Sequence, residues 1–204
     1  MAIADFSRAI HIDPESALFY SNRARAYAAS DNNDRALADY TKAIKLDPKF
    51  IDAYAGRAAI YRIRQEDNSA IADYRRIISL TPKDADGFLH RGRAHVALKQ
   101  YNLAISDLTA SIELTPNAGA YHWRAHAYVA MGQTFDALKD YTRAIEMAPD
   151  LTEYYMDRVA AYADLKEEDN AVKDYRKVLE IAKSAATRGA ASTKLKELEA
   201  RHRK

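Results

Sequence analysis

Ala36-Leu37-Ala38-Asp39-Tyr40-Thr41-Lys42-Ala43-Ile44-Lys45-Leu46-Asp47-Pro48 is the stretch that decides the fold. Ala36, Tyr40, Ala43 and Ile44 fall at the three- and four-residue spacing that gathers side chains on one face of an α-helix. Pro48 ends that helix, because proline lacks the N–H of the ladder and clashes with the preceding turn. Upstream lies the polar run Ser30-Asp31-Asn32-Asn33-Asp34, a turn rich in helix-capping residues. Before that run, Tyr20, Ala24 and Tyr27 mark one face of another helix. The quoted stretch is therefore the second half of a helix–turn–helix unit.

The unit recurs. Pro14, Pro48, Pro82, Pro116 and Pro149 follow one another at steps of 34, 34, 34 and 33 residues. Four more columns keep the same register: Tyr20, Tyr54, Phe88, Tyr121 and Tyr155; Tyr27, Tyr61, His95, Tyr128 and Tyr162; Ala2, Ala36, Ala70, Ala104, Ala137 and Ala171; and Phe6, Tyr40, Tyr74, Leu108, Tyr141 and Tyr175. Small residues such as Ala24 and Ala36 let paired helices approach closely, and aromatics fill the gaps. Two short helices cannot bury their apolar face alone, so each unit must stack on its neighbours. The expected fold class is all-α, an α–α solenoid.

Composition narrows the function. The 204 residues are 48% hydrophobic, enough for a sizeable core, and carry 31 basic against 29 acidic side chains. A formal charge of +2 speaks against a general nucleic-acid binder, which normally shows a basic stripe. Neither nucleic acid nor membrane is an expected partner. Cysteine is absent, which excludes disulfides, thiolate metal sites and a cysteine nucleophile but leaves the compartment unknown. No apolar run approaches the roughly 18 residues of a membrane span. The opening residues Met1 to Phe6 lack the basic and apolar regions of a signal peptide.

A 34-residue helix–turn–helix with aromatic and alanine columns and a closing proline resembles the tetratricopeptide repeat (TPR). The resemblance covers about residues 1–183, over many columns. The pentatricopeptide repeat has a period of 35 and lacks this proline. The resemblance implies a right-handed superhelix whose first helices line a concave groove that receives a segment of a partner protein.

Against that pattern, residues 1–16 read as the second helix of a truncated repeat, whose open side should be sticky. Five full repeats follow at 17–50, 51–84, 85–117, 118–151 and 152–183, the last with Lys183 in place of proline. Residues 184–204 read as a linker and a C-terminal capping helix with a basic tail. Ser192 or Thr193 would cap that helix, and Leu195 and Leu198 would lie on one face of it. Arginine fills a column that is commonly apolar in the family, at Arg23, Arg57, Arg91, Arg124 and Arg158. Sixteen residues after each stands Asp39, Asp73, Asp107, Asp140 or Asp174. In an antiparallel hairpin these columns lie close together, so a structural ladder of Arg–Asp pairs is expected.

Offset counting from the packing columns assigns Asn22, Arg25, Asp52, Arg62, Asp86, His90, Arg93, His122, Trp123, His126, Glu153, Asp157 and Asp164 to the groove. Its middle is basic and aromatic around Trp123, the sole tryptophan, and its ends are acidic. That favours a mixed-charge or acidic peptide. Tryptophan and arginine dominate binding energy at interfaces. Some members of the family clamp the C-terminal carboxylate of chaperones, and Tyr20-Ser21-Asn22-Arg23-Ala24 resembles one part of that clamp; Asp52 and Gly56 stand where its cations would be. His122 and His126, four apart, have a zinc-ligand spacing that His90 could complete, but such a site needs three or four convergent ligands. The expectation is no metal and no cofactor. No phosphate loop, nucleophile elbow or HExxH motif occurs, so no catalytic residue is assigned and an enzyme is not expected. The alternative to peptide binding is self-assembly, a weak homodimer through the open N-terminal helix or the groove.

Overall fold

The computed structural model describes residues 2–80 and 83–201, so Pro82 and residues 202–204 of the basic tail lie outside the described residues. The described residues form helices α1 (Ala2–Ile12), α2 (Ala17–Ala28), α3 (Asn33–Leu46), α4 (Ile51–Ile63), α5 (Asp67–Leu80), α6 (Ala85–Ala97), α7 (Tyr101–Leu114), α8 (Ala118–Ala130), α9 (Thr134–Met147), α10 (Thr152–Asp164), α11 (Glu168–Ile181) and α12 (Ala185–Arg201). No strand occurs among them, and none of these helices is long and apolar enough to cross a membrane. The fold is an all-α array of helix hairpins.

The chain divides into two units, Met1–Lys83 and Asp84–Lys204. In the first, α2 pairs with α3 and α4 with α5, while α1 packs on α2 and α3 on α4. Its core is built on the fully buried Ala24, Ala36, Ala43 and Ala53, closed by Tyr40 and Ile60. The approach is tightest at Gly56, where an added Cβ would stand 2.3 Å from Tyr40 Cζ. In the second unit the hairpins are α6–α7, α8–α9 and α10–α11, each packed on the next, and the first helices α6 and α8 also touch. Ala120, Ala127 and Leu108 fill one part of this core, and Ala125, Ala137, Tyr141 and Ala161 another.

The end of the second unit corrects the sequence reading. α12 begins at Ala185, so the stretch expected as a linker is helical, and Ser192 and Thr193 lie inside the helix instead of capping it. Ala185, Ala186, Ala190 and Ala191 are strong helix formers and outweigh the single Gly189. Ala191 and Leu195 are buried, and Leu198 packs beside them against the core that Tyr155, Val159 and Tyr175 share.

One turn geometry ends every first helix. Asp31, Gln65, Lys99, Gly132 and Lys166 all have φ between 55° and 74°. In each turn this residue's N–H donates to the carbonyl three residues back, and the next N–H reaches five back, as from Asn32 to Tyr27 and from Gln133 to Tyr128. This is the Schellman closure, which satisfies carbonyls that the helix end would leave bare. Only Gly132 holds the left-handed position without a Cβ penalty. Tyr54 and Tyr155 then tie the following helices down, each hydroxyl donating to the carbonyl of the closing proline, Pro48 or Pro149, at 3.2 and 3.1 Å.

Candidate functional site

Five guanidinium–carboxylate forks join the paired helices. Nε and Nη2 of each arginine donate to the two oxygens of the aspartate sixteen residues on: Arg23 to Asp39, Arg57 to Asp73, Arg91 to Asp107, Arg124 to Asp140 and Arg158 to Asp174, all at 2.6–2.9 Å. The five aspartates are buried. Four of the arginines turn the remaining Nη1 to a hydroxyl on the preceding repeat's second helix: Ser7 and Thr41 at 3.2 Å, Thr109 and Thr142 at 2.9 Å. Tyrosine rings flank most of the guanidiniums, as Tyr121 and Tyr128 flank Arg124 with centroids 5.6 and 5.8 Å away. Each fork thus ties the first helix of a repeat to its second.

On the first helices of the first unit, Asn22 is half-buried and Arg25, Asp52 and Arg62 are exposed. Arg25 Nη2 donates to Asn22 Oδ1 at 2.9 Å, so the asparagine oxygen is engaged within its own helix. In the second unit Asp86, Arg93, Glu153 and Asp164 are exposed, and His90, Trp123, His126 and Asp157 are half-buried. Trp123 packs against the core cluster of Ala104, Leu108, Ala120 and Ala127, and the Arg93 guanidinium lies over its ring at 5.2 Å from the centroid. A cation held over an indole face is attracted by the ring quadrupole.

His122 departs from the groove assignment. It is 3% exposed, with its ring 4.4 Å from that of Tyr154 and 5.9 Å from that of Tyr141. One residue along a helix turns a side chain through about 100°, so while Trp123 lies half-buried beside Arg93, His122 points into the seam with the next repeat. There His122 Nε2 meets Asp157 Oδ2 at 2.7 Å, and His126 Nε2 lies 3.1 Å from His122 Nε2 and 3.2 Å from the same Asp157 oxygen. The third group at the histidine pair is thus Asp157 of α10, where the sequence had suggested His90. Burial alone would raise the pKa of Asp157, but the hydrogen bonds and charge of His122 and His126 hold it well below the usual carboxylate range. His95, in the aromatic column, is buried with Nδ1 2.7 Å from Gln100 Oε1 and Nε2 3.5 Å from Asp107 Oδ2.

The sequence did carry a signal for the Asp157 contact. The column of His122 otherwise holds Ser21, Ala55, Leu89 and Met156, mostly small or apolar, as a packed seam requires. The hydroxyl column Ser7, Thr41, Thr109 and Thr142 stands equally in the sequence, at the repeat spacing, and sequence reasoning missed it.

Profiles of the tetratricopeptide repeat match residues 17–50, 85–117, 118–151 and 152–184, about two thirds of the chain. Among curated protein sequences none matches it significantly. Among solved structures, TTC0263, a thermophilic TPR protein of Thermus thermophilus, aligns with a TM-score of 0.74 at 21% identity, over 87% of this chain and 98% of that one. YrrB, described as a TPR protein with an unusual peptide-binding site, aligns with a TM-score of 0.52 at 24% identity, over 92% and 97% of the two chains. MamA aligns with a TM-score of 0.51 at 25% identity, over 77% and 92%. Period, hairpin packing and profile matches agree: the chain belongs to the tetratricopeptide repeat family.

Proposed function

We propose that the first-helix face of the second unit, formed by α6, α8 and α10, binds an extended segment of a partner protein with Trp123 as its apolar anchor and Arg93 as its charged one. The tetratricopeptide fold is in general a scaffold for protein–protein interaction and typically a non-enzymatic one, so the mechanism is recognition and not turnover. One observation carries the reading: Trp123 is half-buried, packed against the core at its edge, with the exposed Arg93 guanidinium over its ring. Aromatic and arginine anchors of this kind dominate interface energies. Both sit on helices fixed by core packing, so little ordering entropy is lost on binding. Arg93, His90 and His126 lie on α6 and α8, with the exposed acidic Asp86 on α6 and Glu153 and Asp164 on α10. That pattern suits a mixed-charge segment whose acidic residue meets Arg93. The peptide-binding site by which YrrB is described is in keeping with this reading.

The test compares capture from the source lysate by the wild-type chain and by a Trp123→Ala, Arg93→Ala variant with an unchanged circular dichroism spectrum. A protein retained by the wild type alone supports the reading, provided that a synthetic peptide from it binds directly and competes. Equal retention by both overturns the groove assignment. Mass that rises with concentration in sedimentation, and does so equally in the variant, would replace it with self-assembly elsewhere on the chain.

A further inference from the structure

We infer that His122, His126 and Asp157 form a binding site for a divalent transition-metal ion of the zinc class. The inference goes beyond the peptide reading and does not depend on it. His122 and His126 stand one turn apart on α8, so their rings share a face. Asp157 reaches the same point from α10, the first helix of the next repeat. The three facing atoms, Nε2, Nε2 and Oδ2, lie 2.7, 3.1 and 3.2 Å from one another. Around a tetrahedral zinc, with ligand bonds of about 2.0–2.1 Å, neighbouring ligand atoms are about 3.3 Å apart. Lengthening the His122–Asp157 edge by about 0.6 Å and the other two by about 0.1–0.2 Å therefore seats an ion.

The chemistry of the triangle favours a cation at its centre. Each atom offers a lone pair toward the others when both Nε2 atoms are unprotonated. One proton joins only two of the three. Two Nε2–H groups aimed at a single Asp157 oxygen crowd their hydrogens across the 3.1 Å between the nitrogens. A divalent ion satisfies all three donors at once. Imidazole with carboxylate suits zinc, cobalt, nickel and copper better than calcium or magnesium. His122 is walled in by the rings of Tyr154 and Tyr141, while the side chains of His126 and Asp157 are 34% and 30% exposed. Three protein ligands with one side open leave a fourth position for water or an incoming carboxylate.

Repetition does not explain the trio. The corresponding positions one repeat earlier are Leu89, Arg93 and Trp123, and the corresponding ones in the first unit are Ser21, Arg25 and Gly56. The Arg–Asp forks recur in every repeat, but these three ligands meet at a single seam.

The experiment uses the full chain without a histidine tag, freed of metal by chelation. Zinc is titrated in by calorimetry and cobalt by visible absorption. The expected result is one equivalent bound, with the intense bands of tetrahedral cobalt. His126→Ala and Asp157→Asn should each weaken binding by at least about 100-fold, given that loss of mere supporting contacts already costs about 10- to 100-fold. His11→Ala should leave binding unchanged. Zinc should also raise the melting temperature of the wild type and not that of Asp157→Asn, an isosteric change that serves if His126→Ala fails to fold. Absence of stoichiometric uptake, or uptake that survives both substitutions, overturns the inference.

Discussion

Replacing Asp140 by alanine isolates one rung of the Arg–Asp ladder. Arg124 gives Asp140 two hydrogen bonds, of 2.7 and 2.8 Å, and its side chain is 16% exposed against 8% for the carboxylate. Without Asp140 the guanidinium keeps Thr109 at 2.9 Å and two tyrosine faces, but no counter-charge. Breaking one side of such a buried pair costs roughly 3–5 kcal/mol, because the remaining charge stays desolvated. Water can reach the 16% of Arg124 that is open, which argues for the lower end, about 3 kcal/mol. Removing both partners, as Arg124→Met with Asp140→Leu, leaves no stranded charge and should cost less than Asp140→Ala alone. Urea unfolding followed by circular dichroism reads the midpoints. Amide exchange in α8 and α9 reads the local loss, since stacked repeats need not unfold in one step. A cost below about 1 kcal/mol for Asp140→Ala, or a double variant less stable than the single one, would refute the buried-charge reasoning.

Two further predictions concern the first-helix turns and a core phenol. Lys99 holds a left-handed conformation with φ 59°, so Lys99→Gly should raise stability by about 0.5–1 kcal/mol, while Gly132→Ala, at φ 74°, should lower it by about 1 kcal/mol, both measured by thermal melts. Burial raises the pKa of Tyr40, opposed by Arg25 and reinforced by Asp52. Its contribution is thus complete below the ordinary phenol value of about 10 and is lost as pH rises above it, because the unfolded chain releases that proton first. Tyr40→Phe should match the wild type at pH 7 and outlast it in alkaline melts; an unchanged alkaline limb would contradict this.

The helices were legible because their signals repeat. Proline, tyrosine and alanine at one period leave little freedom in where a helix starts and stops, and Pro48 closes α3 within two residues of its end at Leu46. The start of α12 was not legible, since alanines without a periodic partner mark no boundary. Offset counting finds a face of a helix but not what arrives from across a seam. Trp123 and His122 are neighbours in sequence, yet one lies beside Arg93 and the other against Asp157, 35 residues on. Deciding between them takes the distance between successive first helices, which no spacing along the chain supplies.

The third donor of the arginines has a consequence for how such an array grows. In four of the five rungs the guanidinium is a plug, and the serine or threonine on the previous second helix is its socket, as with Arg57 and Thr41 or Arg158 and Thr142. A copied 34-residue block brings both halves of the joint with it, so it can be inserted between two existing blocks without redesigning either contact. The histidine-bearing seam has no such interchangeability: it needs two particular neighbours in a fixed order. Duplication can lengthen the stack around it, but a block inserted between α8 and α10 would separate His122 from Asp157 and erase that seam.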